Sequence, residues 1–234
     1  MILKNRISIL FLHHNRSNVT LENFERIKKY NPTKNVYPVG FSNCDLIEGS
    51  HVVTKTDSLY PNNNIFLNRD EKPISWYEAD ILIYDFYRSN PKLPVYFVLE
   101  WDTFCNCSLE EYYSDKLYLN NFGHSVRTDD VFLNWYWYEQ LTSEQKTMSN
   151  MAGLGPTSCL LFNNQVLSAM VNRVTSEPRK YDNMFSELRL GTLVQQSGFK
   201  LNQVDGDTVS WSKNLINFDK NKRGYYHPIK DSIL

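Results

Sequence analysis

Short apolar runs alternate with polar, helix-compatible stretches along the first half of the chain. Ile7–Leu12, apolar but for Ser8, predicts a buried strand, and Thr20 to Tyr30 predicts a helix ended by Asn31-Pro32. Asn35 to Val39 predicts a second short strand. Ser42 to Lys72 is loop-rich, holds Pro61-Asn62-Asn63-Asn64 and shows no periodicity. Asp80-Ile81-Leu82-Ile83-Tyr84 then reads as a strand, Asp85 to Pro94 as a connection, and Val95 to Leu99 as another strand. Alternation of this kind predicts an α/β fold with a parallel, doubly wound sheet.

Farther on, Ser108-Leu109-Glu110-Glu111 carries the signature of a capped short helix. Tyr112 to Tyr138 is rich in Tyr and Trp, most densely at Asn134-Trp135-Tyr136-Trp137-Tyr138. Met151 to Pro156, with Gly153 and Gly155, reads as a flexible, turn-forming stretch leading into a strand at Ser158 to Phe162. Helices are expected from about Asn164 to Val174 and over Phe185 to Gln196, the second stopped by Ser197-Gly198. The polar C-terminal segment resembles a tail wrapping back over the domain. With no repeat or low-complexity linker, 234 residues fit one domain.

Composition narrows the function classes. Hydrophobic residues at 41% and aromatics at 14% supply a core and argue against disorder. A formal charge of −1 offers no basic footprint, so no nucleic-acid partner is expected. Lys28-Lys29 and Lys220 to Arg223 read as solvated surface. No stretch reaches the roughly 20 apolar residues of a membrane helix, and Met1 to Leu12 mimics a signal peptide only faintly. Cys44, Cys105, Cys107 and Cys159 do not form a zinc pattern, so reduced thiols and a cytoplasmic location are expected. Three glycosylation sequons, beginning at Asn15, Asn18 and Asn106, are taken as chance matches. G-x-G-x-x-G, P-loop and G-x-S-x-G patterns are missing, which disfavours ordinary NAD dehydrogenases, kinases and serine hydrolases.

Candidate chemistry concentrates at strand and helix ends. Glu100-Trp101-Asp102 follows the buried run Pro94–Leu99, at the carboxyl end where open α/β sheets bind ligands. Two acids there suit a hard divalent cation, and equally suit a helix N-terminus or an Arg that satisfies them. His13-His14-Asn15-Arg16 follows the first strand and reads either as a nucleotide-binding loop or as a polar loop start. Glu187 opens the Phe185–Gln196 helix, where the dipole favours a carboxylate whether or not it acts as a base. In Tyr225-Tyr226-His227-Pro228-Ile229-Lys230, the imidazole and the ammonium suit a metal and a phosphate, or a satisfied surface. The rings of residues 135–138 read as sugar platform or as core.

This order of features resembles the GT-A glycosyltransferases. Ile7–His14 looks like their first strand and nucleotide loop, and Asp80–Asp85 like the strand before the D-x-D strand. Val98–Asp102 looks like the D-x-D strand, Glu187 like the base position, and His227 with Lys230 like the C-terminal metal and phosphate elements. The likeness is strongest to compact members, some virus-encoded, that consist of little beyond the catalytic core. One departure is Glu100 where the family usually has Asp, giving E-x-D. In many members the final acid is the main metal ligand, which puts Asp102 ahead of Glu100.

The resemblance implies a single GT-A-like domain over 1–234, with a Rossmann-like mixed sheet flanked by helices. Residues 1 to about 104 would bind the nucleotide sugar, and about 105–234 the acceptor. It implies Mn²⁺ or Mg²⁺ on Asp102, His227 and Glu100, and donor contacts from His13, His14, Asn15, Arg16, Asp85, Glu100, Trp101 and Lys230. Glu187 would be the catalytic base, with Trp135 and Trp137 under the acceptor. The expected reaction moves a sugar, most readily from a UDP-sugar, to a glycan or other hydroxyl with inversion. The alternatives are a metal-dependent nucleotidyltransferase or phosphohydrolase, and a catalytically inactive nucleotide- or carbohydrate-binding module.

Overall fold

The computed structural model describes residues 7–54, 78–128, 133–182, 184–205, 208–210, 215 and 218–231. The Pro61–Asn64 stretch and the first six residues lie outside them. Strands run at β1 (Ile7–Leu12), β2 (Asn35–Phe41), β3 (His51–Val53), β4 (Val95–Glu100), β5 (Phe104–Cys105), β6 (Asn121–Phe122), β7 (Ser125–Arg127), β8 (Gly153–Gly155), β9 (Leu160–Asn163) and β10 (Tyr225–Tyr226). The helices are α1 (Asn18–Tyr30), α2 (Ala79–Ser89), α3 (Leu109–Tyr112), α4 (Tyr136–Glu139), α5 (Ser143–Lys146), α6 (Asn164–Ser176) and α7 (Ser186–Gln196). No helix among the described residues is long and apolar enough to cross a membrane.

The main sheet has six strands in the order β3-β2-β1-β4-β9-β6. Its first four strands are parallel, while β9 runs antiparallel to both β4 and β6. The sheet is therefore mixed, not all-parallel. The chain enters β9 at the end of the sheet from which β4 leaves, so β9 has to run back. Strand parity divides the core into two layers. Leu10, Leu12, Tyr96, Val98, Leu160 and Phe162 face α2, α6 and α7, whereas Ile9, Phe11, Phe97, Leu99 and Leu161 face α1 and Tyr113. Burial on both faces explains the near-continuous apolar reading of β1 and β4.

Caps fix several helix starts. Ser17, Ser108 and Asn163 accept from Thr20 N, Glu111 N and Val166 N at the starts of α1, α3 and α6. The Asp80–Tyr84 run is not a strand but the opening of α2. A short apolar run fits a strand or a buried helix equally, and length decides. Here Phe86 and Tyr87 extend the buried set beyond it, and α2 packs between the sheet and α7.

Arg189 of α7 grips Asp80 of α2 through two hydrogen bonds, Nε to Oδ2 at 2.8 Å and Nη2 to Oδ1 at 2.6 Å. Both side chains are fully buried. Gly191 lets α7 close on β8: a Cβ there would stand 2.4 Å from the Ala152 carbonyl oxygen. The Gly153–Gly155 stretch is thus a buried strand paired with β7, not a loose turn. The polar tail does wrap back, pairing β10 with β5 and donating the Ile229 amide to the Asp102 carbonyl at 2.7 Å.

Candidate metal centre at the switch point of the sheet

β1 lies between β2 and β4, so successive parallel connections leave it in opposite directions. Ligands of open α/β sheets bind in the crevice outside the carboxyl ends at such a point. Leu12 and Glu100 are register partners there, and the β4–β5 turn carries Trp101 and Asp102. This turn is pinned from three sides. Asn23 of α1 donates to the Trp101 carbonyl at 3.1 Å, Ile229 of the tail to that of Asp102, and the Glu100 amide donates to Ser158 Oγ at 3.3 Å.

The tail delivers His227 to the two carboxylates. Its Nε2 stands 2.9 Å from Glu100 Oε2 and 3.2 Å from Asp102 Oδ1, while Nδ1 donates to the Ser210 carbonyl at 3.1 Å. One ligand atom from each of the three residues lies within 4.8 Å of the others. Ligands about 2.0–2.1 Å from a Mg²⁺ ion sit at most about 4.2 Å apart, so small side-chain shifts would suffice. Burial alone lowers the His227 pKa, but the charge of Asp102 foremost, then Glu100, overcomes it and pushes it up to about 10. Asp102 Oδ1 is buried and takes no well-aligned hydrogen bond. The nearest positive group to it is His227 itself, 3.2 Å away. Two carboxylates and an imidazole whose Nδ1 is held by a backbone carbonyl form a donor set that could hold a divalent cation.

The loop after β1 divides its labour. His13 is buried, with Nε2 2.9 Å from Ser50 Oγ and Nδ1 3.3 Å from the Asn15 carbonyl. His14 meets the Trp101 ring edge-on at 5.1 Å between centroids. Burial depresses the pKa of both histidines, and His14 also feels Asp102 and Lys230 in opposite senses. Asn15 uses its side chain within the turn, accepting from Ser17 N and Thr20 Oγ1. Arg16 is exposed, as is Lys230 at the rim. Asp85 is on α2 rather than at a strand end, and pairs with His51 of β3 at 2.7 Å.

Glu187 reaches the same end of the sheet. It is buried in the first turn of α7, and its Oε1 accepts the Thr157 amide at 3.1 Å, next to Ser158. Gly155 leaves it room, since a Cβ there would come within 2.6 Å of its carboxyl carbon. The charge of Glu187 also acts on Arg127, whose guanidinium lies 4.8 Å from the Trp135 ring centroid. Trp135 is buried against Gly153, and half-buried Trp137 stacks on Phe185 at 4.1 Å. Trp135 therefore serves as wall, while Trp137 leads from Phe185 toward the start of α7.

Set against known protein families and curated proteins, the chain matches none. The site's chemistry therefore rests on its own geometry. Thr103, Ser158, His51 and Asn23 belong to that geometry and carry no spacing pattern that would have revealed them.

Proposed function

We propose that the chain is a metal-dependent glycosyltransferase, moving a sugar from a nucleoside-diphosphate sugar, a UDP-sugar above all, to a hydroxyl acceptor with inversion. The observation that carries this reading is the meeting of Glu100, Asp102 and His227 at the switch point, with Glu187 tied to the same end through Thr157. Mn²⁺ or Mg²⁺ at the three ligands would supply Lewis-acid stabilisation of the departing diphosphate. Lys230 at the rim adds positive charge toward the same leaving group. Half-buried His14 and exposed Arg16 follow β1 at its carboxyl end, buried His13 is held by Ser50 and the Asn15 carbonyl, and the His51–Asp85 pair lies toward β3. Asn15 shapes the loop, because its amide oxygen is already spent on Ser17 and Thr20.

Glu187 takes the proton of the acceptor hydroxyl as it attacks the anomeric carbon. A well-placed base contributes about 10²–10⁴-fold in rate. The test is an assay of UDP-, GDP- and dTDP-sugars with Mn²⁺, following release of nucleoside diphosphate and transfer of labelled sugar. Glu187→Gln is expected to lose about 10²–10⁴-fold in turnover while keeping donor affinity near wild type. Near-wild-type turnover in that variant removes Glu187 from the mechanism. Inorganic phosphate or nucleoside monophosphate as the sole product would identify a phosphohydrolase instead.

A further inference from the structure

Thr157 and Ser158 form the turn through which the chain enters β9, and they touch both halves of the candidate site. Thr157 donates its amide to Glu187. Ser158 Oγ accepts the Glu100 amide at 3.3 Å and lies 2.6 Å from Thr103 Oγ1. These contacts straddle Glu100-Trp101-Asp102, one at each end of the segment that carries both carboxylates. Ser158 and Thr103 are both fully buried, so no solvent exchange loosens the hydroxyl pair. The next residue, Cys159, is held at φ 56°, a left-handed conformation uncommon outside glycine. Strain of this kind persists only where the surroundings over-determine the backbone.

We propose that Ser158 is a positioning residue for the metal ligands. Its hydroxyl fixes the β4–β5 turn so that the Glu100 and Asp102 carboxylates face His227 together, and its peptide link to Thr157 sets their spacing from Glu187. The inference rests on the metal-dependent reading above. Partners that orient ligands typically govern metal affinity by about 10–100-fold.

The test is Mn²⁺ titration by calorimetry of wild type, Ser158→Ala, Thr103→Val and Thr103→Ser, with the melting temperature of each measured alongside. Ser158→Ala and Thr103→Val are expected to weaken Mn²⁺ binding about 10–100-fold, and Thr103→Ser, which keeps the hydroxyl, to restore it. A lowered melting temperature with unchanged Mn²⁺ affinity would show a merely structural role and overturn the proposal. If Ser158→Ala does not fold, the two Thr103 variants decide the same question. Should wild type bind Mn²⁺ and all variants match it, the positioning role alone falls. Absence of Mn²⁺ binding by wild type removes the metal reading and this proposal with it.

Discussion

Asp80 and Arg189 meet as one anion and one cation, in bidentate geometry, between two helices that pack on each other. Glu100, Asp102 and His227 meet as two anions and at most one cation, drawn from a strand end, a turn and the C-terminal tail. The first cluster is balanced in charge, and its fork geometry matches the carboxylate. The second sets two carboxylates against a single imidazole, whose Nε2 stands 2.9 Å from one and 3.2 Å from the other. The contrast separates a paired charge that fastens two helices from a cluster with one carboxylate more than it has imidazoles. Burial is common to both and does not distinguish them.

Breaking the balanced pair is expected to have the largest effect on stability. Arg189→Met takes the bidentate partner from the fully buried Asp80 carboxylate and should cost about 3–5 kcal/mol in denaturant unfolding. Asp102→Asn should cost far less, about 1 kcal/mol, because Glu100 still faces His227. Equal losses at the two sites would erase the distinction. Replacing both partners, Asp80→Leu with Arg189→Met, should recover much of the stability, since an apolar pair needs no counter-charge.

Gly191→Ala comes next, at about 1–3 kcal/mol, because its Cβ meets backbone rather than a flexible side chain. It should also displace Glu187 with α7 and lower turnover. Loss of activity at unchanged stability would contradict a packing role for the glycine.

The smallest effect concerns protonation of the second cluster. His227 has a folded pKa of about 10, above its ordinary value of 6.5. Its ion pairs therefore stabilise the metal-free protein fully below pH 6.5, and this contribution is lost as pH rises through about 10. The stability gap between wild type and His227→Gln should narrow across that window. Mn²⁺ binding near pH 7.5 should release about one proton, measurable by calorimetry in buffers of different ionisation enthalpy. Proton-independent binding would place the ion away from His227.

Much of this was legible in the chain because it follows local pattern. β1 and β4 are buried on both faces and read as apolar runs, and Ser108 and Gly198 mark helix ends at short range. Glu100-Trp101-Asp102 stood out as charge placed directly after such a run. Asp80–Tyr84 was misleading because a short apolar run has no period of its own, and β3 is too short to signal. His227 pointed to Glu100 and Asp102 through shared metal-ligand chemistry and the family resemblance, for nothing local reports a contact made by a returning tail. The Asp80–Arg189 pair and the Ser158 hydroxyl were invisible for the same reason: single polar residues acquire meaning from partners far along the chain.

The most direct test of the central claim is calorimetry of UDP-, GDP- and dTDP-sugars, with and without Mn²⁺, on wild type and Asp102→Ala. Donor binding that requires Mn²⁺ in wild type and vanishes in Asp102→Ala is the predicted result. Donor binding that is indifferent to Mn²⁺ and to Asp102, or no donor binding at all, would contradict it.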